Sequence, residues 1–258
     1  MAVLLREPRD SQWRTRRTEV LFVLALSLGA SAVYALVSLI AKLTAPGGLA
    51  AQSATLNGSV SERPYLDLTY QLLGVVFGVM PALFAVHLLS RDPGDARATL
   101  GLHRPRPVFD LASGAGLAAL IGLPGLGLYV VARELGLNAN VVPAALPDLW
   151  WTVPVLILAA AQNAVLEEIV VVAYLQTRLQ QLGACVATTV TTSAVLRGSY
   201  HLYQGVGAFV GNVVMGVVFS LWYVRTRRVL PLVIAHTILD VVSFVGYALL
   251  REHLSFLR

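Results

Sequence analysis

Long apolar runs, each nearly free of charge, alternate along this chain with short stretches that hold most of its arginines and many of its prolines. At 1.5 Å per helical residue, about 20 such residues cross the roughly 30 Å hydrocarbon core of a bilayer. The pattern predicts spans near 19–43, 66–90, 108–132, 149–175, 184–204, 206–224 and 229–250. The chain therefore reads as an all-α, polytopic integral membrane helical bundle of about seven transmembrane helices. Four regions follow: a polar cytoplasmic N-terminal arm (1–18), N-terminal transmembrane helices (19–148), a core of helices (149–250) and a C-terminal tail (251–258). Residues 44–64, rich in Gly, Ser and Ala, read as an external loop, and 91–107, rich in Pro and Arg, as a cytoplasmic connector. Pro81, Pro124 and Pro154 fall inside spans and are expected to kink them. Trp150 and Trp151 open the fourth span, and Trp222 and Tyr223 close the sixth, as interfacial anchors do. Gly207 and Gly211, four apart, allow close helix contact.

Composition narrows the class further. Of 258 residues 57% are hydrophobic and 13% charged, against about 25% charged in soluble domains. Basic residues set the orientation. Arg6, Arg9, Arg14, Arg16, Arg17, Arg91, Arg97, Arg104, Arg106, Arg178, Arg225, Arg227 and Arg228 fall on one side of the spans. Lys42, Arg63, Arg133, Arg251 and Arg258 fall on the other. The N-terminus is thus expected to be cytoplasmic and, after seven spans, the C-terminus outside. The net charge of +5 is this topology signal and gives no reason to invoke nucleic acid. The expected setting is the cell membrane, with the lipid bilayer as first partner, and no pattern specifies an oligomeric state. No small-residue cleavage site follows the first span, which reads as a retained signal anchor. A single cysteine, Cys185, excludes an intrachain disulfide and a multi-cysteine metal site, and reads as a small apolar residue at a helix start.

Chemistry has to come from the few polar groups inside the spans. These are Glu167 and Glu168 in the fourth, Arg197 and His201 in the fifth, and His236 and Asp240 in the seventh. Each charge at the bilayer centre costs about 2.5–3.5 kcal/mol on insertion scales, so adjacent glutamates need partners. Asn163 and Glu167, Arg197 and His201, and His236 and Asp240 are each four apart, so three helices each carry one polar stripe. A bundle satisfies all three by turning them to a common interior. His87 and Asp67 lie near the ends of the second span and read as interfacial; Asp110 lies near the start of the third. His103 and His253 are in solvated segments. A carboxylate and two imidazoles that converge can hold a divalent metal with an open position for water. They can instead deprotonate water directly while a second His and its neighbour stabilise an oxyanion. A proton relay in a transporter uses the same residue types, but no repeated half supports one.

"EEIVVVA", "RGSYH" and "HTILD", in that order on three C-terminal helices, resemble the CPBP family, the CAAX prenyl endopeptidases and bacteriocin-processing enzymes also called Abi proteins. The likeness covers roughly 149–250, and "LGLHRPRP" before the third span is similar too. It implies an intramembrane endopeptidase acting on a protein or peptide substrate. Carried over, Glu167 is the glutamate that activates water and Glu168 its supporting partner. His201 shares that water, and His236 and Asp240 stabilise the transition state. The cofactor is either a divalent metal such as zinc, with Glu167, His201 and His236 as ligands, or none. Two positions depart from the pattern: the family Arg of the first motif falls on Val172, and the family Phe of the second on Arg197. Charge accounting suggests that Arg197 replaces the missing guanidinium and pairs with Glu168, with Asn163 as a further support. The alternative is a catalytically silent scaffold or immunity-type binding protein.

Depth poses a problem for this site. Along ideal helices Glu167 lies about 12 Å from the cytoplasmic end of a span closing at 175, and His201 about 25 Å from the same side. The fifth span must therefore start deeper, tilt, or break near Gly198.

Overall fold

A computed structural model of the protein describes residues 9–250, with side chains from Gln12 onward. The C-terminal tail with Arg251, His253 and Arg258, and Arg6 of the N-terminal arm, lie outside the described residues. In chain order the elements are α1 (Arg9–Ala25), α2 (Leu28–Thr44), β1 (Ser53–Gly58), α3 (Pro64–Ser90), α4 (Ala96–Thr99), α5 (Pro107–Glu134) and β2 (Asn140–Ala145). There follow α6 (Thr152–Glu167), a π-helical stretch Glu168–Tyr174, α7 (Leu175–Gln181), α8 (Val186–Tyr200), α9 (Val206–Thr226) and α10 (Leu230–Leu250).

Five helices are long and apolar enough to cross a membrane, six if a bent pair at the N-terminus counts as one crossing. This is a multi-pass membrane protein, an all-helical polytopic bundle. The first expected span is that bent pair: α1 and α2 meet at 48°, and α1 takes in polar residues from Arg9 that the sequence pattern places in the arm. The fifth expected span is α8, only 15 residues long and about 22 Å from end to end. Its Thr- and Ser-rich sequence, with Arg197, is too polar to face lipid on all sides, and it is wrapped by α9, α2 and α7.

The connections nevertheless alternate between two ends. At the arginine-rich end Arg178 pairs with Asp92 and Glu19, Arg228 with Asp110, and Tyr223 Oη donates to Thr99 O. The two aspartates near helix starts act as structural anchors: Asp110 is buried against Arg228, and Asp67 accepts from Val60 N–H and Ser59 Oγ. At the opposite end Lys42 Nζ donates to Tyr203 O, and Arg133 to Ala50 O and Asn138 O. The stretch expected to be a plain external loop contributes a strand there, and the connection between α5 and α6 contributes another. β1 and β2 pair in parallel, with Ser53 opposite Asn140 and Gly58 opposite Ala145.

Pro81 and Pro124 lie within continuous helices, whereas Pro154 sits in the first turn of α6, where no helical hydrogen bond is lost. Trp150 is exposed as an anchor would be, but Trp151 is buried beneath α6. Cys185 is exposed at the N-cap of α8. Small residues let three helices close around the site. A Cβ on Gly207 would meet Ala132 of α5 at 2.4 Å, and one on Gly216 would meet Ala194 of α8 at 2.7 Å.

The π stretch is the local feature that most affects the site. Leu175 N–H reaches Val170 O, five residues back, and the wider turn leaves carbonyls without their usual partner. Ser193 of α8 repairs this: its hydroxyl donates to Val171 O at 2.8 Å and accepts from Ser220 of α9 at 3.2 Å. Ser193→Ala is expected to lower stability by about 1–2 kcal/mol. A Tm no lower than wild type in detergent would refute that role.

Candidate active site

The helix bearing the glutamates does not end at 175. It continues through α7 to Gln181, because Gln176 and Arg178, polar in sequence, are buried. Counted from Gln181, Glu167 is about 21 Å deep, and counted from Val186, His201 is about 22 Å deep. The depth problem disappears, with α8 neither broken nor displaced.

At that level the three polar stripes meet. Glu167 Oε2 accepts from Tyr200 Oη at 2.7 Å and from Arg197 Nη1 at 3.2 Å. Glu168 Oε1 accepts from Arg197 Nη2 at 2.6 Å and lies 2.7 Å from His236 Nδ1. One guanidinium thus bridges both carboxylates, a geometry only Arg offers. Arg197 is wholly buried, with its guanidinium 5.5 Å from the centre of the Phe219 ring. Val172, where the family pattern has arginine, is packed in the apolar core.

On the open side lie Glu167, His201, His236, Asp240, Asn163 and Tyr200, which line a cavity of about 1350 Å³. Glu168 and Arg197 stand behind it. His236 Nε2 is 3.7 Å from Asp240 Oδ1, too long for a hydrogen bond. Asn163 lies against Asp240. Gln204 Nε2 sits 3.4 Å from His201 Nδ1 and 2.9 Å from Tyr203 Oη. His201 Nε2 is buried and has no partner among the described residues. No hydrogen bond is made to Glu167 Oε1 among the described residues either, so Glu167, which lines the cavity, keeps one uncommitted carboxylate oxygen.

From the glutamates the cavity climbs between α3, α5 and α10 towards the two-stranded sheet, where Thr55, Leu56, Asn57, Val141 and Pro143 border it. Gln71, Gly74 and Val75 of α3 form one wall, and Ala115, Ala119 and Gly122 of α5 another.

All seven expected site residues come together, but the donor set that could hold a metal differs. Among the described residues, the group of possible ligand atoms within 4.8 Å of one another is Glu167, Glu168 and His236, without His201. Arg197 already supplies the cation between those carboxylates, and Glu168 Oε1 is shared by Arg197 and His236. Arg197 uses Oε2 of Glu167 and Oε1 of Glu168, and the other oxygen of each carboxylate has no partner among the described residues. Tyr200 and Gln204 were missed in the sequence. Tyr200 had a signal: it stands three residues after Arg197, on the same helix face.

The membrane bundle thus gathers carboxylates and two imidazoles at one wall of a cavity. Residues 149–242 match the family model described as type II CAAX prenyl endopeptidase Rce1-like. An Rce1-like domain there agrees with the CPBP resemblance and supports a membrane peptidase of the CAAX type. No curated protein and no solved structure matches the chain.

Proposed function

We propose that this protein is an intramembrane endopeptidase in which Glu167 and His201 activate water for attack on a peptide carbonyl. The observation that carries the reading is the pairing, at one cavity wall, of an uncommitted Glu167 Oε1 with an unpartnered His201 Nε2. Arg197 and Tyr200 both engage Oε2, which holds the carboxylate in one orientation and leaves Oε1 to take a proton. His201 N–H holds the water oxygen. Attack on the carbonyl carbon breaks the water O–H bond, and Glu167 takes that proton. His236, fixed by Glu168 at Nδ1, directs Nε2 with Asp240 towards the oxyanion. Glu167 then passes its proton to the amide nitrogen as the C–N bond breaks. A water-poor, low-dielectric site strengthens each of these interactions.

The test compares protein N-termini in membranes of cells expressing wild type or Glu167→Gln at equal levels. Termini found only with wild type are expected, and they name the substrate. Identical termini would return the chain to the scaffold reading. Because Arg197 already supplies a cation between the two carboxylates, 1,10-phenanthroline is expected to leave cleavage by the purified protein unchanged. Loss of activity restored by zinc would place a metal in the mechanism.

A further inference from the structure

The two-stranded sheet has an unused edge, and that edge borders the cavity. Asn140 N–H donates to Gln52 O, and the parallel register sets Ser53 opposite Asn140. By the alternation of a strand, the N–H and C=O groups of Ala54 and Leu56 then point to β2, and those of Ser53, Thr55 and Asn57 point away. No hydrogen bond meets the outward backbone groups of Thr55 or Asn57 among the described residues. Three consecutive β1 residues, Thr55, Leu56 and Asn57, line the cavity, whereas β2 contributes alternate ones, Val141 and Pro143. A strand that showed the cavity a face would contribute alternate residues too, so β1 presents its edge.

That edge borders the same cavity as Glu167 and His201, and α10 packs against β2. Asp240, Ser243 and Tyr247 line the cavity along one face of α10. From Asp240 to Tyr247 this face climbs about 10 Å, roughly three residues of extended chain. A peptide must itself be extended for water to reach its carbonyl, and an extended peptide leaves its own N–H and C=O groups without intrachain partners. An open strand edge supplies both. Resting on the protease reading above, we propose that the outward edge of β1 receives the substrate polypeptide as a third, extended strand and so sets its scissile bond over Glu167 and His201. Affinity then comes from main-chain bonds, and a given sequence enters provided it can unwind.

Proline separates this role from a structural one. At Thr55 it removes an outward N–H and leaves every β1–β2 bond in place, a position where strands tolerate proline. In full-length protein in membranes, Thr55→Pro is expected to reduce the wild-type-specific termini at least about tenfold, and Thr55→Val to retain them. As a readout independent of that variant's folding, a synthetic peptide spanning one such cleavage site is bound to purified Glu167→Gln. Amide exchange at Thr55 and Asn57 should slow at least about tenfold, with Ala54 and Leu56 unchanged. Unaltered cleavage by Thr55→Pro, or a bound peptide without protection at Thr55 and Asn57, overturns strand addition and leaves the protease reading intact. If wild type yields no termini that Glu167→Gln lacks, the protease reading falls and takes this one with it.

Discussion

A Glu167→Gln protein is expected to insert, fold and accumulate as wild type does, and to hydrolyse peptide bonds about 10²–10⁴-fold more slowly. The two halves of this expectation have different physical sources. Folding survives because the amide oxygen can still accept from Tyr200 and Arg197, and because Arg197 keeps Glu168. Two carboxylates share one guanidinium in the wild type; removing one negative charge leaves a neutral pair, easier to bury than the original cluster. Catalysis does not survive, because an amide cannot take a proton from water at Oε1, and the adjacent carboxylate is not placed to do so. Glu168 stands behind the cavity wall with Oε1 held by Arg197 and His236. Equal expression with loss of termini would therefore locate the defect in the chemistry. Equal expression with unchanged termini would show that the cluster serves packing.

The helices of this fold were legible where a long apolar run coincided with a long helix, as in α3, α5, α9 and α10. Errors arose where polarity and burial parted. Gln176 and Arg178 look like the wet end of a span, yet Arg178 is buried by its bonds to Asp92, Glu19 and Leu88 O, and this lengthens the helix to Gln181. α8 looks like a crossing because alanine and valine alternate with its threonines, but it is a short helix enclosed by others. The strands left no local trace: Ser53–Gly58 and Asn140–Ala145 pair across three intervening helices, α3, α4 and α5, and nothing in either six-residue stretch names the other. The site was more legible than the fold around it, because the i, i+4 stripes are local and the cost of buried charge forces them together. What spacing could not supply was angular detail. The π turn after Glu167, Ser193 beneath it and Tyr200 on the carboxylate depend on how three helices approach, which small residues such as Gly216 decide.

Arg197→Leu has the largest expected effect on stability. It leaves Glu167 and Glu168 side by side at membrane depth without a fixed cation, and His236 is then the sole imidazole against them. Breaking a buried pair by removing one partner costs about 3–5 kcal/mol, a large share of the stability of an ordinary domain. The protein should fail to accumulate, or should unfold in detergent well below the wild-type Tm. Arg197→Lys should rescue only in part, since one ammonium cannot reproduce the forked contact with both carboxylates. The informative variant is Arg197→Leu combined with Val172→Arg. Position 172 is four residues beyond Glu168, on the same helix, and is fully buried. A guanidinium there can reach Glu168 through the volume that the shorter side chain on α8 leaves open beside Phe219 and Gly216. Recovery of folding, with recovery of cleavage, would establish that this chain moved an obligatory cation from one helix to its neighbour without changing the chemistry. Recovery of neither would mean that Arg197 is required for something the swap does not restore, such as holding Glu167 Oε2 so that Oε1 faces the cavity. Recovery of folding alone would separate the two demands on this residue, neutralising Glu168 and aiming Glu167, and assign the second to its exact place on α8.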